Sequence, residues 1–182
     1  NIVGANITVN NIANGASTAA DVNNLAATST LTLGTGITGT AEVLLAAGST
    51  ATVNAGSATV MNLENAGTTV GANIVAGAST TTIGVEGAAG AIAGVASDTV
   101  AITAVGAIAL NTNAAGAGTD QVEFVTLSGN GAAVTYTLNA GDALENVTVT
   151  GSQNVTLVAT AAQMATETMT TTNTGVTTLQ IS

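Results

Sequence analysis

Carboxylates are the only side chains in this sequence with ordinary metal-ligating or general-acid chemistry, and their spacing is regular. The 182 residues include ten Asp and Glu and no Lys, Arg, His or Cys. Glu42, Glu64 and Glu86 lie 22 residues apart, as do Asp98, Asp120 and Asp142, and again Glu123, Glu145 and Glu167. Asp21 misses the first series by one position. A fixed period between about 20 and 50 residues marks a stack of like supersecondary units. Residues one period apart then face the same way, so each series predicts a column of like charges. At about 5 Å such neighbours repel by roughly 1 kcal/mol in bulk water and by several at the effective dielectric of a protein surface. Two arrangements tolerate this: carboxylates splayed into solvent at the corners of the units, or cations held between them. Calcium, a hard cation that takes carboxylate and carbonyl oxygens, suits the second. Its candidate ligands are the pairs Asp120/Glu123 and Asp142/Glu145, with Asp98 at the head of their series.

Paired carboxylates also hydrolyse glycosides. Such sites usually add aromatic platforms for the sugar, and this chain has one Tyr and one Phe. Without His, Cys, Lys or Arg, most nucleophile–base pairs and every cationic oxyanion clamp are out of reach. The expectation is a protein that is not an enzyme. A formal net charge of −10 with no basic residue also argues against nucleic acid, whose binding rests on Lys and Arg neutralising phosphates. Anionic membrane surfaces are disfavoured for the same reason. The longest apolar stretch, Thr99 to Leu110, is too short to span a bilayer, so membrane insertion is not expected.

The units that would position these carboxylates read as short strands. Mean hydropathy is +0.53, yet aromatics make up only 1% of the chain, so the apolar content is mostly Ala, Val, Ile and Leu. Small and β-branched side chains suit narrow packed layers. Ala41-Glu42-Val43-Leu44-Leu45, Val122-Glu123-Phe124-Val125-Thr126-Leu127 and Leu144-Glu145-Asn146-Val147-Thr148-Val149 share one outline, and Thr166-Glu167-Thr168-Met169-Thr170 is a more polar copy. A Gly or Asn closes most of these runs, as left-handed turn positions favour. A second alternating segment follows, as in Ala51-Thr52-Val53, Val134-Thr135-Tyr136-Thr137-Leu138 and Asn154-Val155-Thr156-Leu157-Val158. Alternation of Val or Leu with Thr marks half-buried strands. Val-Gly-Ala-Asn-Ile recurs verbatim at 3–7 and 70–74, and Asn-Ala-Gly at 54–56 and 139–141.

Two or three strands per 22 residues, with no Pro, predict an all-β fold: a parallel β-solenoid over 1–182. Equivalent strands stack about 4.8 Å apart, and roughly eight rungs would give a rod on the order of 38 Å long. An irregular, shortened rung or kink is expected over 87–100, where Gly and Ala crowd together. The rival is an antiparallel β-sandwich, which suits short strands but gives no reason for charges in register. An outer-membrane barrel would want an aromatic girdle. The first residue is Asn1 and no basic opening is present, which suggests a segment or processed product of a larger chain. Thr80-Thr81-Thr82 and Thr170-Thr171-Thr172 could suggest ice binding through a water-ordering Thr array, but the Thr positions are not expected to recur on one face through all rungs. Ordinary strand surface is the simpler reading.

Gly116-Ala117-Gly118-Thr119-Asp120-Gln121-Val122 resembles the glycine-and-aspartate nonapeptide of RTX calcium rolls, echoed by Asn139-Ala140-Gly141-Asp142, although tandem nonapeptides are absent. The unit from Leu144 to Leu157 is similar to the repeating strand unit of RTX-type surface-layer proteins of Gram-negative bacteria, exported by type I secretion. The likeness covers about residues 41–70 and 120–182 and is compositional elsewhere. It implies an extracellular, cell-surface β-solenoid that assembles with copies of itself into a lattice and needs calcium. A secreted adhesin with cell-surface glycans as partners, a pilus or filament subunit, and an ice-binding module are the other expectations in the same spirit.

Overall fold

The computed structural model describes residues 6–9, 20–25, 28–45, 50–65, 70–86, 98–111, 124–139 and 146–182. In chain order the strands are β1 (Asn6–Val9), β2 (Ala20–Leu25), β3 (Thr30–Leu33), β4 (Thr40–Leu45), β5 (Thr52–Asn54), β6 (Val60–Asn65), β7 (Val70–Val75) and β8 (Thr82–Glu86). They continue as β9 (Asp98–Ala104), β10 (Ala107–Asn111), β11 (Phe124–Gly129), β12 (Val134–Leu138), β13 (Asn146–Val149) and β14 (Val155–Ala159). A single turn of helix, α1 (Ala161–Met164), precedes β15 (Thr168–Thr171) and β16 (Thr177–Ile181).

The chain alternates between two sheets. Odd-numbered strands form one eight-stranded sheet and even-numbered strands the other, each in sequential order. Every pairing is parallel. This is a parallel β-solenoid with two strands per rung, and the antiparallel sandwich is set aside. Alternation decides which side chains turn inward. In the first sheet Leu31, Val53, Ile74, Ile102, Leu127 and Val149 form one buried file linked by register. From the second sheet Met61, Ile83, Leu110 and Leu138 form a matching file. The core is thus a narrow double layer of aliphatic side chains, which explains why the sequence needs so few aromatics.

The rungs are less regular than the acidic period suggests. Thr30↔Thr52, Phe124↔Asn146 and Asn146↔Thr168 step by 22, but Thr40↔Val60 steps by 20 and Thr99↔Phe124 by 25. Where a shortened rung was expected, the step lengthens: Val70 pairs with Asp98, 28 residues on, and Thr82 with Ala109, 27 on. Connections absorb extra residues without disturbing the ladder, because loop closure costs grow only slowly with length.

One corner is built on glycine. Gly56 has φ +59, and a Cβ there would overlap the carbonyl oxygen of Leu33. A Cβ on Gly77, one rung later, would overlap the carbonyl oxygen of Gly56. Beside them Thr80 is buried: its Oγ1 donates to the Ala58 carbonyl at 2.8 Å and accepts from Gly77 N at 3.1 Å. This Thr of the Thr80–Thr82 run is therefore a corner fastener and not strand surface.

Candidate functional site

The outer faces of the two sheets carry different chemistry. On the first sheet, register links Asn6, Thr30, Thr52, Asn73, Ala101, Thr126, Thr148 and Thr170 into one file that crosses all eight strands. A second file, two residues along, runs through Thr8, Thr32, Asn54, Val75, Thr103 and Ser128. Neither file contains a charge. Hydroxyl and amide groups are fixed along the second: Asn54 Nδ2 donates to Thr32 Oγ1 at 3.1 Å, and Thr103 Oγ1 and Ser128 Oγ lie 2.9 Å apart. Thr holds five of the eight positions of the first file, with Asn6, Asn73 and Ala101 at the others, so it recurs on this face but not through all rungs. Steps of 20 to 28 residues hide the recurrence from a search at strict period, although the Thr-x-Thr and Thr-x-Asn alternation within single strands carried the signal.

In the second sheet the acidic residues meet in register. Asp21 pairs with Glu42, and Glu64 with Glu86. The expected column Glu42, Glu64, Glu86 does not form. The 20-residue step between β4 and β6 sets Glu42 opposite Asn62, and Leu44 opposite Glu64. In register, acidic residues therefore stand opposite one another two at a time and not in one unbroken series. Glu42 itself is exposed to solvent.

Of the candidate calcium ligands, only Asp98 lies among the described residues; Asp120, Glu123, Asp142 and Glu145 lie outside them. Asp98 begins β9 and pairs with Val70. The step from β9 to β11 is 25 residues, from Thr99 to Phe124. Thr99, Phe124, Asn146 and Thr168 stand in one file, and each is preceded in sequence by an acid: Asp98, Glu123, Glu145 and Glu167. Both carboxylate oxygens of Glu167 are buried. Among the described residues no three or more Asp or Glu gather into a group that could hold a metal ion. The RTX-like stretch 116–122 also lies outside the described residues, as do 140–142 of its echo.

Sequence reasoning missed a polar knot between the sheets. Tyr136, fully buried on β12, donates from its hydroxyl to the carbonyl of Ser128 at 2.7 Å and to that of Ile102 at 3.1 Å. Burial raises the pKa of this phenol far above its ordinary value. The hydroxyl is held as a donor inside the core and is not offered to a ligand. Nothing in Val134-Thr135-Tyr136-Thr137-Leu138 signals partners 8 and 34 residues away.

No family model, curated protein or solved structure matches the chain. No helix among the described residues is long and apolar enough to cross a membrane.

Proposed function

We propose that this chain is a structural segment of an extracellular, cell-surface array, a rod that associates with copies of itself. The reading is supported above all by the unbroken ladder, two parallel eight-stranded sheets that run from β1 and β2 to β15 and β16. Such a rod presents the same two sheets along its length, so like faces of different copies can pack side by side. Calcium bound by the carboxylates at 98, 120, 123, 142 and 145 would neutralise charge between acidic copies, since the chain has no cation of its own. Electron microscopy of the purified chain with and without millimolar calcium tests the proposal: ordered sheets or filaments are expected with calcium. A monodisperse monomer at every concentration, with or without calcium, would sink it.

A second reading draws on the first sheet's outer face. Two uncharged files of mainly Thr, Asn and Ser, interrupted by Ala101 in one and Val75 in the other, with rows about 4.8 Å apart and files about 6.7 Å apart, form a grid of hydroxyl and amide groups. Such a grid can order water as ice does, or take the hydroxyls of a cell-surface glycan. Thermal hysteresis and glycan binding by this face separate the second reading from the first.

A further inference from the structure

The sequence holds two Asn-Gly steps, Asn14-Gly15 and Asn130-Gly131, and the second lies among the described residues. It falls in the connection that carries the chain from β11 to β12, where Asn130, Gly131, Ala132 and Ala133 are all exposed. Gly131 has φ +77, a left-handed conformation that glycine takes without strain, and nothing lies within 4 Å of a Cβ built on it. The peptide nitrogen of Gly131 thus follows an exposed side-chain amide, with open space on the side where a bulkier residue would stand. Among the described residues no hydrogen bond holds the Asn130 side chain. Two other corner asparagines differ. Asn154 Oδ1 accepts from the Val176 nitrogen at 2.9 Å, while Asn173 Nδ2 donates to the Gln153 carbonyl at 2.8 Å and its Oδ1 accepts from the Gly175 nitrogen at 3.3 Å.

From this turn we infer that Asn130 is a site of spontaneous covalent conversion, at which the side-chain amide leaves as ammonia and aspartate or isoaspartate takes its place. The Gly131 nitrogen gives its proton to hydroxide and attacks Asn130 Cγ. An N–Cγ bond forms, the Cγ–Nδ2 bond breaks, and Nδ2 departs as ammonia with a proton from water, which restores the hydroxide. Water then opens the cyclic imide at either carbonyl, so one amide is exchanged for one carboxylate without oxidant or reductant. The fold is built to tolerate the product. Isoaspartate lengthens the backbone by one atom, because the chain then runs through Cβ and Cγ. That atom enters after the Asn130 nitrogen, which donates to the Ala104 carbonyl at 2.7 Å, and before Val134, whose nitrogen donates to the Asn154 carbonyl at 3.0 Å. An exposed connection between two anchored amides absorbs it as the longer connections of this solenoid absorb extra residues. What changes is charge: each conversion adds one negative charge to a chain of formal charge −10 that has no cation of its own, so converted copies repel one another more. The inference stands apart from the array reading and does not depend on it.

Incubation of the folded chain in mildly alkaline buffer, followed by peptide mapping in a mass spectrometer, tests the inference. Asn130 should convert at least about tenfold faster than Asn154 and Asn173 in the same sample, giving both aspartate and isoaspartate at that position. N130Q is the control: its longer side chain would have to close a larger ring, and no conversion is expected there. The peptide that carries Asn14 is mapped separately, so the two Asn-Gly steps are not confused. Circular dichroism of the converted chain should match that of the parent. Equal rates at the three asparagines, or conversion of Asn130 only in urea, would overturn the inference by showing that the fold shields the turn. Loss of the β-sheet signal in step with conversion would overturn the tolerance assigned to this connection.

Discussion

The hydroxyl of Tyr136 donates to the carbonyl oxygen of Ser128 at 2.7 Å, so a side chain of one sheet fastens the end of a strand in the other. Ser128 Oγ in turn lies 2.9 Å from Thr103 Oγ1, which ties β11 to β9. Replacing Tyr136 with Phe keeps the ring and removes the donor, leaving two carbonyls in the core with one partner fewer. The expected cost is about 1–3 kcal/mol, the penalty of a buried polar group left short of a hydrogen bond. Urea unfolding of Y136F against the parent checks it.

The same phenol should control the alkaline limit of the fold. With no Lys, Arg, His or Cys and a single Tyr, no other side chain has an ordinary pKa above neutrality. Burial raises the folded-state pKa of Tyr136 above its ordinary value of 10.0. The folded state thus keeps a proton that the unfolded state loses. This contribution to stability is fully present below pH 10 and falls as pH rises above it, by about 1.4 kcal/mol per pH unit. Melting of the parent should drop steeply above pH 10 while that of Y136F stays nearly flat. Equal slopes for both would contradict the buried donor.

Gly77→Ala should be among the most damaging small substitutions, because its new Cβ meets the carbonyl of Gly56 in the adjacent rung. Backbone on both sides must move, at an expected cost of about 2–4 kcal/mol. Gly106→Ala is the control, since nothing lies within 4 Å of a Cβ built there. It should stay within about 0.5 kcal/mol of the parent.

If the first sheet's outer face orders water, replacing Thr126 and Thr148 with Lys should abolish thermal hysteresis and leave the melting temperature within a few degrees. Both residues are half-buried, point outward and occupy adjacent rungs of one file. Absence of hysteresis in the parent would discard the ice reading outright, and the same Lys variants would then test glycan binding by that face.

Calcium should raise the melting temperature more than sodium at matched ionic strength, by stabilising the folded state through mass action. Replacing Asp120 and Asp142 with Asn should remove most of that excess and slightly stabilise the calcium-free form. Superimposable melts with and without chelator would return the carboxylates to the role of solvated corners.

The fold was legible because two periods coincide in the chain. Alternation within strands, as in Val134-Thr135-Tyr136-Thr137-Leu138, gives the half-buried ladder, and the acids give the approximate length of a rung. Sheet assignment was hidden, because both sheets present the same apolar–polar alternation. Glu42 and Glu145 look equivalent in sequence, yet β4 lies in the second sheet and β13, which begins at the residue after Glu145, in the first. The verbatim repeats divide likewise. Asn6 and Asn73 fall in one file, whereas Asn54 ends a strand of the first sheet and Asn139 follows a strand of the second. Register escaped for a physical reason: a connection can gain five residues while the strands it joins keep their hydrogen bonds.

That tolerance bears on how the rod would carry a load. Backbone hydrogen bonds run along its axis, so tension between the ends pulls on each junction between rungs in turn. Where one sheet pairs briefly, the other pairs at length: β8–β10 aligns only Thr82 to Gly84 with Ala109 to Asn111, while β7–β9 aligns all of Val70 to Val75. Likewise β3–β5 is short beside the full-length β4–β6. At these junctions a short seam on one wall stands beside a long seam on the other, while β11–β13 and β12–β14 align four residues each, so no junction among the described strands is short on both walls and the rod has no built-in fuse.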